Sequence, residues 1–336
     1  MKDQIRKIAE GSHLTRDEAA GAMRTIMQGD ATGAQIAAFL VALKLKGEQT
    51  EELAGFVSVM REMSVKVRLD DPDAVDLCGT GGDGTGTFNI STVASFVVAG
   101  AGATVAKHGN RSVSSACGSA DLLQELGVNI DIAPERVGSC INTVGIGFLF
   151  APLFHPAMRH AAKTRSELGI KTCFNLLGPL TNPAGVERQL TGAFSPRAAE
   201  LLASVFSRLD PAAVMVVHSE DGLDEISLSA PTRSYTLARG KAAAADTISH
   251  ASFGMERSAG RSVSGGDAAQ NARIAMRILS GEKGPDRNIV LANAAAALTM
   301  AGKAATFTDG VALGAEAIDS GNARRKLERL REYTCR

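Results

Sequence analysis

The sequence predicts an α/β protein in two parts: a small N-terminal helical domain, residues 1–70, and a large α/β domain, residues 71–336, with a mainly parallel central sheet and a helical C-terminal part. Three observations predict it. The first seventy residues carry helical periodicity only. A polar, proline-bearing break, Asp70-Asp71-Pro72-Asp73, then changes the character of the chain. Beyond it, short apolar runs alternate with helical stretches, the pattern of βα units.

The elements follow in order. Thr15 and Glu18 have the spacing of a capping box, and Ala19, Met23, Ile26 and Met27 continue at helical spacing until Gly29 ends the run. A second helix starts near Thr32, with Ile36, Phe39, Leu40 and Leu43 on one face. A third starts near Thr50, with Leu53, Phe56, Val57 and Met60. Three or four such helices make a small bundle. Strands are expected at 74–77, 104–106, 147–150, 190–194 and 213–217, with helices near 90–101, 119–126, 134–144 and 196–209. From about Asp267 the chain is helical, with Ala-rich turns around 292–298. Residues 240–266, poor in large apolar side chains, read as a loop-rich excursion.

Composition narrows the function. The 336 residues are 45% hydrophobic and 21% charged, enough to bury a sizeable core without any Trp. Lys and Arg total 36 against 36 Asp and Glu, so no net charge favours nucleic acid or an anionic membrane. Five scattered cysteines, none in a CxxC, point to reduced thiols rather than to zinc or disulfides. No signal segment or bilayer-length apolar run is present, so a cytoplasmic location is expected.

Three segments carry the chemistry. Gly79, Gly81, Gly82, Gly84 and Gly86 follow an expected strand and open an expected helix. Glycines remove the Cβ atoms that keep ligands off a backbone, and the amides of such a turn with the helix N-terminus form an anion site. Asp83, Asn89, Ser91 and Thr92 add side-chain polarity there. The loop has neither the Lys-Ser/Thr of a P-loop nor a G-x-G-x-x-G with a later ribose-binding acid, which disfavours a nucleoside triphosphate or dinucleotide. Lys107, His108, Gly109, Asn110 and Arg111, with Ser112, Ser114, Ser115 and Ser119 after them, follow the next strand. In parallel sheets that edge faces the same cleft, so a second phosphate-binding face is expected, a solvated polar loop being the plainer reading. Asp224 and Glu225 follow a third strand, and adjacent carboxylates with phosphates nearby fit Mg2+. Such pairs also occur on ordinary surfaces. Arg165, in a basic helical stretch, is a candidate for a substrate carboxylate or a solvated helix face. His108 has the best claim to a catalytic part among the six histidines. No acid–base dyad stands out.

Gly79-Thr80-Gly81-Gly82-Asp83, Asn89-Ile90-Ser91-Thr92, Lys107 to Arg111, Asp224-Glu225 and the stretches 175–183 and 221–227 together closely resemble the anthranilate phosphoribosyltransferase family, over nearly the whole chain. The resemblance implies a nucleoside phosphorylase/phosphoribosyltransferase-like fold and a homodimer, with part of 156–177 packed onto the N-terminal helices. It implies 5-phosphoribosyl 1-pyrophosphate at Gly79, Gly82, Asp83, Thr87, Asn89, Ile90, Ser91, Thr92, Lys107, His108, Gly109, Asn110, Arg111, Ser112, Val113, Ser114, Ser115 and Ser119. Anthranilate falls to Gly79, Asn110 and Arg165, and Mg2+ to Ser91, Asp224 and Glu225. The family often has Lys in a Ser-Ser-Lys-Ser-Gly run where this chain reads Ser114-Ser115-Ala116-Cys117-Gly118, which removes one charged contact. Two rivals remain: a pyrimidine-nucleoside phosphorylase, expected to lack the acidic pair and the 175–183 stretch, and a non-catalytic nucleic-acid-binding paralogue, expected to be basic.

Overall fold

In the computed structural model, the described residues are 1–112, 116–258 and 263–336. The candidates Val113, Ser114 and Ser115 lie outside them. No helix among the described residues is long and apolar enough to cross a membrane.

Four helices, Lys2–Ala9, Arg16–Gln28, Gly33–Lys46 and Thr50–Glu62, form the N-terminal bundle. Thr15 Oγ1 accepts the Glu18 amide at 3.2 Å while Glu18 returns to the Thr15 amide at 2.7 Å, and Gly29 ends the helix with φ +82°. Thr32 and Gln35 repeat the device one helix later. Inside, Met23, Ile26, Leu40, Phe39 and Phe56 are fully buried, the two rings meeting edge-on at 6.0 Å. A helix from far along the chain, Arg159–Leu168, completes this lobe. A Cβ on Gly29 would lie 2.7 Å from His160 Nδ1, so glycine there lets the two elements touch.

The large lobe holds a seven-stranded sheet: β1 Val75–Leu77, β2 Val105–Gly109, β3 Ile146–Phe150, β4 Arg188–Gly192, β5 Ala213–Ser219, β6 Thr232–Ala238 and β7 Ala244–Ile248. Their order is β3-β2-β1-β4-β5-β6-β7, the first five parallel and the last two antiparallel. Strand order reverses between β1 and β4, and at such a reversal the connecting loops part to leave a crevice at the C-terminal strand ends. Side chains alternate across the sheet: Met215 and Val217 enter the core shared with the C-terminal helices, Val214 and Val216 the core shared with the bundle. The Ala-rich helix Pro285–Met300 is buried nearly throughout, and its small side chains let it lie against the sheet.

Two expectations are corrected. The fourth strand ends at Gly192, not at residue 194, because the Phe194 amide leaves the ladder for Thr80 Oγ1 at 3.0 Å. Residues 240–266 are not simply loop: they contain β7 and the short 3-10 helix His250–Phe253. Four of the five β7 residues are exposed, so the strand has no apolar signal and is held by pairing with β6.

Candidate active site

A cavity of about 300 Å³ opens at the strand reversal. Every described candidate from Gly79 to Ser119 lines it, together with Arg165, Asp224 and Glu225. The topology accounts for this convergence, since the segments after β1, β2 and β5 all leave the sheet at one edge. Phe174, Asn175, Gly178 and Pro179 supply a wall not singled out as ligand-binding from the sequence.

The glycine loop joins β1 to the helix Ile90–Gly100. Gly81, Gly82, Gly84 and Gly86 have φ between +64° and +73°, a region costly for side-chain-bearing residues, and this winding makes the loop an amide-rich concavity. Asn89 sits at the helix start with both ends of its side chain engaged, donating to the Cys117 carbonyl at 3.0 Å and accepting from Asn271 at 3.0 Å. It braces the site. Thr92, 1% exposed, has a hydroxyl without a protein partner on the cavity wall, an orphan that a ligand oxygen would satisfy.

Three carboxylates converge on this loop. Asp224 Oδ2 accepts the Gly81 amide at 3.0 Å, Glu225 Oε1 accepts the Ser91 amide at 3.1 Å, and Asp83 Oδ2 accepts the Asp224 amide at 3.4 Å. The acidic pair is placed from behind by Asn293, fully buried, which accepts from the Ile226 amide at 3.0 Å and donates to its carbonyl at 3.1 Å. Asp224 and Glu225 both line the cleft. Burial first, and then the neighbouring negative charges, raise the proton affinity of both well above the ordinary carboxylate range. Lys107 is the cation facing Glu225. Such a set calls for further positive charge and therefore fits a divalent cation. No group of three or more His, Cys, Asp or Glu side chains among the described residues forms a cage by itself.

Lys107 is almost wholly buried, its ammonium on the Leu77 carbonyl and 3.4 Å from Ser91 Oγ. On the opposite face of the sheet, Asp76 accepts the His108 amide at 3.1 Å and the Asn182 side-chain amide at 2.8 Å. Burial lifts this carboxyl to about 6, against the pull of Lys107. The network fixes the end of β2 against residues 178–182. His108 Nδ1 lies 3.1 Å from the Gly178 carbonyl, so that nitrogen carries the hydrogen and the unpartnered Nε2 is an acceptor. Burial pushes the ring down to about 3, so it stays neutral. Its neighbour His155, 5.3 Å away between ring centres, is pushed down to about 4, also by burial. Arg111 reaches the cleft but is ion-paired to Asp121 at 2.9 Å, and Ser119 Oγ donates to the Asn110 carbonyl at 3.2 Å.

Arg165 stands on the far wall, its guanidinium 4.8 Å from the centre of the Phe174 ring. No ion pair engages it among the described residues, and burial lowers its proton affinity. A flat cation over an aromatic wall is suited to an aromatic carboxylate.

A helical bundle joined to an α/β lobe with a carboxylate-lined cleft is the architecture of two matching family models. Residues 2–64 match the family model "Glycosyl transferase family, helical bundle domain", and residues 71–324 match "Glycosyl transferase family, a/b domain". Anthranilate phosphoribosyltransferase from Symbiobacterium thermophilum is 51% identical over 336 residues, covering 100% of this chain and 98% of the relative. The enzyme of that name from Moorella thermoacetica is 51% identical over 330 residues, 98% of this chain and 97% of its own. The crystal structure of the Thermus thermophilus enzyme aligns with a TM-score of 0.93 at 43% identity, covering 99% and 100% of the two chains. The Saccharomyces cerevisiae enzyme in complex with PRPP and Mg aligns with a TM-score of 0.91 at 28% identity, covering 99% and 97%. The chain belongs to the anthranilate phosphoribosyltransferase family.

Proposed function

We propose that this chain transfers the phosphoribosyl group of 5-phosphoribosyl 1-pyrophosphate (PRPP) to the amine of anthranilate, giving N-(5-phosphoribosyl)anthranilate and pyrophosphate in tryptophan biosynthesis. The observation that carries the reading is the division of one cavity: carboxylates tied to loop amides on one wall, an arginine stacked on a phenylalanine on the other. The relatives of that name support it, and none of those aligned above favours the phosphorylase or the nucleic-acid-binding reading.

In the reaction the C1–oxygen bond to pyrophosphate breaks and the anthranilate nitrogen bonds to C1. Positive charge grows on the sugar and negative charge on the leaving diphosphate. Mg2+, held by Asp224 and Glu225 with Ser91 adjacent, would neutralise the diphosphate. The loop amides and the N-terminus of the helix Ile90–Gly100 act on the same charge, already oriented before it develops. Arg165 holds the anthranilate carboxylate, and Phe174 and Pro179 flank that half of the cavity. An aromatic amine is nucleophilic without prior deprotonation, so the site needs no strong base. The proton that the nitrogen sheds as the N–C1 bond forms is taken up by the released pyrophosphate or by water, and the neutral His108 lines the cavity beside it. Positioning of the two substrates supplies much of the remaining acceleration.

The reading includes a homodimer in the cytoplasm. Its test is the loss of anthranilate fluorescence, expected only with PRPP and Mg2+ both present. Unchanged emission in the complete mixture refutes it.

A further inference from the structure

Lys171 lies outside every motif marked in the sequence and does not line the cavity. It belongs to the stretch 169–172 between the helix Arg159–Leu168, which packs on the bundle, and the helix Cys173–Leu177. Its ammonium reaches the other lobe, donating to the Gly82 carbonyl and sitting 4.2 Å from the centre of the Phe194 ring. Phe194 in turn gives its amide to Thr80 Oγ1. One cation therefore joins the segment that carries Arg165 and Phe174 to two points of the glycine loop.

The peptide it holds has a definite consequence. A trans peptide carries its C=O and N–H on opposite edges, so fixing the Gly82 carbonyl on Lys171 turns the Asp83 N–H the other way. Gly82 and Asp83 line the cavity while Lys171 does not, so the ammonium grips a cavity-lining peptide from outside the lining. Gly82, at φ +72°, sits among glycines that permit several loop windings, and the ammonium selects one.

We propose that Lys171 is a positioning residue that couples the two halves of the cleft, linking the Arg165–Phe174 wall to the orientation of the Gly82–Asp83 peptide. Anthranilate on the first orders the loop for PRPP, and by linkage PRPP tightens anthranilate equally. The inference rests on the assignment of those two substrates to those two walls.

The experiment measures the apparent affinity of each substrate at low and saturating levels of the other, in the native enzyme and in Lys171→Met, Lys171→Arg and Phe194→Leu, with melting temperatures. Native enzyme shows mutual tightening. Lys171→Met reduces the coupling roughly fivefold or more and raises the KM for PRPP more than it lowers kcat. Lys171→Arg retains most of the coupling, and Phe194→Leu falls between. A Lys171→Met enzyme with native coupling, or with a fall in kcat alone, overturns the proposal; so does a native enzyme without coupling. If Lys171→Met does not fold, native coupling in Phe194→Leu overturns it. Failure of the native enzyme to consume anthranilate strikes the proposed function instead, and calorimetric binding of PRPP to native and Lys171→Met protein then decides the loop role separately: equal affinity overturns it.

Discussion

Gly192 and Asp224 approach so closely that no side chain fits between them: a Cβ on Gly192 would lie 1.6 Å from the Asp224 carbonyl oxygen. The end of β4 is thus the seat on which the acidic pair rests. Gly192→Ala must push the 219–225 loop away from the glycine loop. The expected outcome is a loss of about 1–3 kcal/mol by chemical denaturation and a weakened magnesium dependence of turnover. Native stability and activity would show that the backbone yields freely there.

Asp224→Asn and Glu225→Gln remove charge and keep shape, so the Gly81 and Ser91 amides retain an acceptor. Each is expected to raise the magnesium concentration for half-maximal activity roughly tenfold or more, a loss of about 1.4 kcal/mol or more of binding. An unchanged magnesium titration rejects the metal role.

Arg165→Met takes the cation from the aromatic wall. Losing a charged hydrogen-bond partner costs about 1.5–3 kcal/mol, so the KM for anthranilate should rise roughly ten- to a hundredfold. Steady-state kinetics with anthranilate and with a carboxyl-free aromatic amine check this, since the variant should no longer distinguish them.

Asp76 gives the fold a pH signature. Its folded carboxyl, at about 6, binds a proton more tightly than the unfolded one at 3.8. Its contribution to stability is therefore greatest below pH 3.8 and is lost as pH rises through about 6, by about 3 kcal/mol in all. Melting curves between pH 4 and 7 should show a smaller decline in Asp76→Asn than in native protein. The variant also loses an acceptor for Asn182, so its curve lies lower at the acid end. Parallel curves for the two proteins refute the assignment.

Ala116 is exposed next to Cys117 and Gly118 on the cavity wall. Ala116→Lys adds a cation at the mouth, with an expected fall of roughly two- to fivefold in the KM for PRPP at low ionic strength that fades as salt is added. A salt-independent change would mean that the lysine acts through structure instead of charge.

The capping box at Thr15 could be read directly because it is a local pair of side chains three residues apart, whereas at Thr32 only the helix start was expected. β3 and β5 were legible because they are buried almost throughout and carry apolar runs. β6 and β7 were not: their residues are largely polar or small, with Leu237 and Ile248 their buried apolar anchors. In the cleft, glycine spacing and the acidic pair announced themselves, and the sheet reversal brought them together. Asp76 did not, because one acid in a three-residue strand carries no pattern and its partner Asn182 is 106 positions away. Lys171 escaped for the same reason, being one basic residue among several whose target, the Gly82 carbonyl, is main chain.

The insertion of the helix Arg159–Leu168 into the N-terminal bundle has a mechanical consequence. The small lobe is not a bead on one string: the chain passes between the lobes near residues 63–74, near 151–158 and again after the helix Cys173–Leu177, which also packs on the bundle. A body moored by a single line can swivel, whereas one moored by three can only rock. Arg165 rides on the moored body, and so does Lys171, which reaches across to Gly82.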